Sequence, residues 1–188
     1  MSPSHLRFPF FSRLLHWLMA VMILVMLFVG VIMAATEQPN YGALVALHRP
    51  LGIAILVLVV IRLINRLVSP PPPLPESLPP VQRLAAKASH ILLYALMFAM
   101  PLVGWGMLSA ARYPIVLVGG LELPPILPHD PVLYATLRRA HTVLGFTLYA
   151  VFLLHMAAAL LHGLVRRDGV FESMASLKAG EGRERKPS

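Results

Sequence analysis

Four predominantly apolar stretches, each long enough to cross a lipid bilayer, limit what this chain can fold into. They are LLHWLMAVMILVMLFVGVIMAA at 14–35, LVALHRPLGIAILVLVVIRLI at 44–64, ASHILLYALMFAMPLVGWGMLSA at 88–110 and RAHTVLGFTLYAVFLLHMAAALLHGLV at 139–165. A hydrocarbon core of ~30 Å is spanned by ~20 helical residues. No water satisfies exposed backbone groups inside it, so a crossing segment must be a helix or part of a closed barrel. With their flanks, the stretches predict helices over about 10–35, 44–67, 83–110 and 138–166. The expected fold class is all-α: a polytopic membrane protein whose residues 1–167 form a single four-transmembrane-helix bundle. Pro50 and Pro101 fall inside two of these helices, where neighbouring helices can tolerate them.

Composition agrees. Only 13% of the 188 residues are charged, against about a quarter in soluble proteins. The absence of cysteine excludes disulfides, iron–sulfur clusters, thiolate metal sites and cysteine nucleophiles. The first apolar run follows His5, Arg7 and Arg13, as in a signal peptide. At 22 residues it is too long for an ordinary signal core, and we read it as a retained helix.

The connections are distinctive. SPPPPLPESLPP at 69–80 is an extended, semi-rigid loop, because proline fixes φ and removes a donor. Residues 111–137 carry Pro114, Gly119, Gly120, Pro124, Pro125, Pro128 and Pro131, and their apolar PIVLVGGLELPPIL stretch is expected to cap the helix ends. The polar segment 168–188 reads as a disordered tail. Arg7, Arg13, Arg62, Arg66, Arg83, Lys87, Arg166, Arg167, Lys178, Arg183, Arg185 and Lys186 fall on one side of the membrane. Only Arg49, Arg112, Arg138 and Arg139 fall on the other. The positive-inside rule then places both termini, the 69–80 loop and the tail in the cytoplasm, and loop 111–137 in the periplasm. The net charge of +8 is thereby a matter of topology, and no nucleic-acid partner is needed to explain it.

Histidine carries the chemistry. Six of the eight histidines lie in or at the ends of the spans: His16, His48, His90, His141, His155 and His162. Ionisable residues at membrane depth are costly and usually functional. The spans contain no Asp or Glu, which proton-relay transporters normally use. Haem, by contrast, needs only neutral imidazole. His141 and His155 are fourteen residues apart on one helix, ~21 Å along its axis and only ~40° around it. They face one way at two depths, as two stacked cofactors would require. Matching depths pairs His48 with His141 near the periplasm and His16 with His155 near the cytoplasm. Gly52 and Gly145 each follow a pairing histidine by four residues, on the same helix face. They suit either close approach of a flat macrocycle or close helix packing. His90 and His162 converge by depth on the cytoplasmic end. They read as a pair for hydrogen-bonding a quinone carbonyl and exchanging protons, or as solvated interfacial residues.

The motifs SRLLHW (12–17), LHRPLGI (47–53), VVIRLINRL (59–67), HILLYALMFAMPLVGWGM (90–107) and AHTVLGFTLYAVFLLHMAAALLHG (140–163) resemble the small bacterial di-haem cytochrome b-561 family, over residues 10–167. The two histidines of the last helix, with a third seven residues on, are the most specific mark. The resemblance implies a multi-pass inner-membrane protein with two haems b bound between helices and electron exchange with ubiquinone near the cytoplasm. Its superoxide oxidase class passes electrons from periplasmic superoxide through both haems to ubiquinone. By similarity, His16 and His155 bind one haem, His48 and His141 the other, and His90 and His162 line the quinone pocket. An anionic substrate calls for positive charge near the periplasmic haem. Arg49, Arg138 and Arg139 are the candidates, with propionate pairing or interface anchoring as competing roles. The acids Glu37, Glu122 and Asp130 nearly cancel them. Electron flow from ubiquinol outward to a periplasmic redox partner, a membrane-anchor subunit for another redox protein, and a non-redox His-rich transporter are the alternative functions.

Overall fold

Apolar length decides the architecture, and local capping chemistry sets the ends of its elements. The computed structural model describes residues 7–35, 41–73, 78–117 and 119–175. His5, Glu37, the 74–77 part of the proline-rich loop, and Lys178, Arg183, Arg185 and Lys186 lie outside the described residues. Four long helices dominate: α1 (Phe10–Ala35), α2 (Tyr41–Val68), α3 (Pro80–Ala110) and α4 (Pro131–Leu160). All four are long and apolar enough to cross a membrane, and the last continues to Arg166. Large apolar side chains face outward along them, among them Val21, Phe28, Ile91, Phe146 and Leu154. Such a surface belongs in lipid, since soluble proteins rarely expose contiguous apolar area of this extent. The protein is an all-α membrane bundle.

Helices α3 and α4 begin earlier than the apolar runs suggest. Pro80 and Pro131 each occupy a first helical turn, where the missing N–H costs nothing. Asp130 also caps α4: its Oδ1 accepts from the backbone N–H of Val132 (2.8 Å) and Leu133 (3.0 Å). The first two turns of α4 therefore lie within the segment expected as loop 111–137. The rest of that segment holds a small hairpin, β1 (Ile115–Val116) against β2 (Glu122–Leu123), antiparallel with Ile115 opposite Leu123. It packs down as a cap. Ile115 is buried, the Trp105 indole donates to the Pro124 carbonyl (3.0 Å), and the Ser109 hydroxyl accepts from Ile126 N–H (3.1 Å). We call this the hairpin end of the bundle, and the end where α1 starts and α4 finishes the opposite end.

Helix α3 packs most extensively on α4, and α1 on α2, while α1 and α4 barely touch. Both Pro50 and Pro101 sit inside continuous helices. The core is one layer halfway along the bundle: Met19, Ile23 and Leu27 from α1, Ile55 and Val59 from α2, Leu96 and Met97 from α3, and Leu148 from α4. Met19, Ile23 and Leu27 recur every fourth residue, which lines them up on one helix face.

Residues 168–175 depart from the expected disordered tail. The last turn of α4 widens into a π-helix over Leu161–Arg166. Arg167 then adopts a left-handed conformation (φ 50°), and its N–H closes on the His162 carbonyl at 2.7 Å. The chain turns back there into a short helix, α5 (Glu172–Ala175). Its carbonyls accept from the Trp17 indole (3.0 Å, at Met174) and from the Phe8 N–H (3.2 Å, at Ser173). Apolar and aromatic contacts with the helix ends, invisible to a reading of polarity, hold this strap down.

Removing the Asp130 cap should destabilise the bundle by ~1 kcal/mol, the usual cost of losing a helix N-cap. Denaturant titration of Asp130→Ala in detergent micelles measures it, and an unchanged midpoint would show that the cap contributes nothing.

Candidate functional site

Two clusters of imidazoles lie on either side of the central core layer. Leu148 stands seven residues from both His141 and His155, so α4 delivers one ring on each side of it at ~10 Å.

Toward the hairpin end, His48 of α2 meets His141 of α4, with ring centres 6.0 Å apart and planes inclined by 71°. The Nδ1 atoms of both rings are shielded from solvent and make no hydrogen bond of standard geometry. Helix α3 reaches His141 through Gly104. A Cβ there would stand 3.2 Å from Cε1 of His141, so a larger residue would press on the ring. Gly52 and Gly145 look onto methionine tips of the neighbouring helices: added Cβ atoms would meet Met26 at 3.7 Å and Met100 at 3.5 Å. These are ordinary contacts with flexible side chains. Arg49 donates to the Pro114 carbonyl (3.2 Å). Arg138 lies beside the Tyr134 hydroxyl (3.4 Å), and Arg138 and Arg139 are both exposed.

Toward the opposite end, His16 of α1 meets His155 of α4 at 6.4 Å between ring centres, with planes inclined by 75°. His90 of α3 lies 5.4 Å from His155. Trp17 stands edge-on to His16. Arg62 of α2 brings Nη2 to within 3.2 Å of His16 Nδ1, and its Nε donates to the Tyr94 hydroxyl at 3.1 Å. His162 does not bond His90. Its Nδ1 pairs with Oδ2 of Asp168 at 2.6 Å, at the root of the strap. Phe171 lies over Gly163, where a Cβ would meet the ring at 2.9 Å. A groove of about 370 Å³ runs alongside, lined by Leu160, Gly163, Leu164 and Phe171, with Arg7 and Glu172 among its other walls.

The spacing of the rings discriminates among the pairs. Two imidazoles on opposite sides of one metal ion, with metal–nitrogen bonds of about 2 Å, hold their ring centres roughly 6 Å apart. His48–His141 and His16–His155 fit that span, whereas His90–His155 is too short for it. Among the described residues no group of three or more His, Asp or Glu gathers to cage a bare ion. A pair of imidazoles suits iron whose remaining ligands come from a macrocycle, and neutral imidazole is the donor such iron takes. The residues present fit b-type haem.

Several residues at these clusters escape sequence reading. Gly104 could have been suspected, since a glycine inside a helix costs ~1 kcal/mol and asks for a packing reason. Arg62 reads as one of the topological charges, but its place within an apolar run marks it as more. Asp168 had only its proximity to His162 to signal it.

The sequence matches the family model described as prokaryotic cytochrome b561 over residues 7–176. It is 31% identical over 171 residues to cytochrome b561 homolog 2 of Escherichia coli (strain K12), covering 89% of this chain and 90% of that protein. It is 29% identical over 166 residues to the probable superoxide oxidase CybB of Yersinia pestis, covering 88% and 94%. Cytochrome b561 homolog 1 of Escherichia coli (strain K12) is 28% identical over 173 residues, covering 85% and 92%.

The His162–Asp168 bond should hold the strap closed by about 1 kcal/mol, so Asp168→Ala should open it roughly fivefold more often. Limited trypsin digestion after Arg166 and Arg167 in detergent reads that opening. Equal cleavage rates would show that the bond does not secure the strap.

Proposed function

The chain belongs to the prokaryotic cytochrome b561 family and is a membrane b-type cytochrome that transfers electrons; from that premise we propose that it holds two haems b and carries electrons from periplasmic superoxide to ubiquinone across a bacterial inner membrane. The observation that carries the proposal is the pair of cross-helix imidazole couples, one on each side of the core, at 6.0 and 6.4 Å between ring centres. On this reading His48 and His141 ligate one haem iron and His16 and His155 the other. Haem supplies one-electron redox chemistry. The chain's own part is to fix the two sites on a shared helix, so that α4 sets their separation.

Orientation follows the basic residues, which crowd the end with the helix α1 start. That end faces the cytoplasm, and the hairpin end faces the periplasm. Arg49, Arg138 and Arg139 then give positive charge beside the His48–His141 pair, suited to attracting a small anion. Superoxide gives up one electron and leaves as dioxygen. Two such electrons and two protons convert ubiquinone to ubiquinol. His90 stands against His155, and His162 lies near the apolar groove at the same end. On this reading they would hydrogen-bond quinone carbonyls and pass protons from the cytoplasm. The groove, at about 370 Å³, is within the size range of small-molecule sites. Gly52 and Gly145 leave only methionine tips over their faces of α2 and α4, which can move aside for a macrocycle. The second reading, ubiquinol oxidation with electrons leaving at the periplasm, uses the same sites in reverse.

Purified protein should carry two haems per chain. His141→Ala and His155→Ala should each leave one, and the double variant about none, as read by haem-to-protein ratio. Unchanged pigment in either single variant would refute the ligand assignment. In stopped-flow mixing, superoxide should reduce the haem well above the background rate and ubiquinone should reoxidise it. No acceleration by superoxide would leave the outward direction.

A further inference from the structure

Helix α2 repeats the fourteen-residue interval of α4. His48 lies at one imidazole pair, and fourteen residues on, on nearly the same face, Arg62 lies at the other. Arg62 is a part-buried cation whose donors are only partly satisfied. Its Nε donates to the Tyr94 hydroxyl (3.1 Å), and its Nη2 approaches His16 Nδ1 (3.2 Å). Its Nη1 is shielded from solvent and has no hydrogen-bond partner. The one ion pair among the described residues joins His162 to Asp168, so Arg62 has no carboxylate within ion-pair reach there. A guanidinium at this depth without a counter-ion is costly to keep.

The chemistry of His16 sharpens the point. Arginine only donates, so in the contact with Arg62 the Nδ1 of His16 is an acceptor. An imidazole that binds iron through Nε2 carries its proton on Nδ1 instead. Once His16 is a ligand, it can no longer accept from Nη2. Two adjacent donors, Nη1 and Nη2, are then left needing acceptors, and a carboxylate meets such a fork with two parallel bonds.

We propose that Arg62 anchors a carboxylate of the cofactor held by His16 and His155, namely a haem propionate, through Nη1 and Nη2, with Tyr94 fixing the guanidinium by its Nε. This rests on the haem reading given above. Arg66, whose guanidinium carbon lies 6.0 Å from the Tyr94 ring centre, adds a second positive charge. A recess of about 20 Å³ is lined by Ser12, Arg62, Asn65, Arg66, Tyr94 and Met174. It admits a group the size of a water, such as a carboxylate oxygen. The Asn65 amide donates to the Ser12 hydroxyl at 2.7 Å, which stiffens its wall. The other source of a forked anionic acceptor is the phosphate of a lipid headgroup.

The test uses full-length protein carrying its own haem, labelled with carbon-13 at the propionate carboxyls. Reduced-minus-oxidised infrared difference spectra are compared for the unsubstituted protein, Arg62→Gln, Arg62→Lys and the exposed control Lys87→Gln. The label-sensitive carboxylate bands should shift in Arg62→Gln. They should also shift, by less, in Arg62→Lys, which keeps the charge but cannot form the fork and preserves folding if the glutamine variant does not. Lys87→Gln should match the unsubstituted protein. The midpoint potential of one haem, not both, should fall in Arg62→Gln. Unmoved label bands in both Arg62 variants, with two haems bound, would overturn the proposal. So would loss of a co-purifying phospholipid with those bands unmoved, which would assign the anion to lipid. A haem ratio below two in the unsubstituted protein would instead overturn the underlying haem assignment, and the anchor with it.

Discussion

An imidazole at bilayer depth has no water to satisfy its nitrogens, so each one has to be met by the protein or by something the protein holds. This bundle meets the requirement unevenly. His162 has Asp168, and His16 has Arg62. His48 and His141 have neither a carboxylate nor a conventional hydrogen bond on Nδ1, yet their ring centres lie 6.0 Å apart between two helices. Side chains that costly usually do chemistry, and the proposed iron between the two rings would account for both the cost and the spacing.

The rest of the architecture serves to keep those rings apart in depth and opposed in pairs. Helix α4 supplies one ring to each pair, and Leu148 between them joins the apolar layer formed with α1, α2 and α3. Helices α1 and α4 scarcely touch, but they present His16 and His155 to each other at 6.4 Å. The helices are held in place by their hairpin partners instead, α1 by α2 and α3 by α4. At one end the hairpin cap covers the bundle, and at the other the strap from Asp168 to Ala175 does so beside Trp17 and Phe8.

Much of this was legible in the sequence because membranes make long-range structure local. Span length and hydropathy reveal four helices, and a fourteen-residue interval on a single helix reveals two depths. The contacts of His16 with His155 and of His48 with His141 follow from counting residues from the membrane surfaces. What remained hidden depends on which side chain meets which across helices. The approach of Gly104 to His141, the Arg62–His16–Tyr94 contacts and the closure of Phe171 over Gly163 have no periodic signature. The early start of α4 was readable in principle from Asp130-Pro131, a cap followed by proline, but the many prolines nearby suggested loop. The strap was masked by polar composition, because only a few of its residues, Phe171 and Met174 among them, make its contacts.

The ring planes give the sharpest test of the central claim that each imidazole pair grips one haem iron. The two pairs are inclined by 71° and 75°, and ferric iron held between imidazoles that kept this inclination as a twist would give a strongly anisotropic low-spin electron paramagnetic resonance signal with one prominent low-field feature. Oxidised purified protein should show two such signals, one lost in His141→Ala and the other in His155→Ala. A three-line rhombic spectrum of parallel imidazoles would contradict the geometry, and high-spin iron or a single signal would contradict the paired ligation itself.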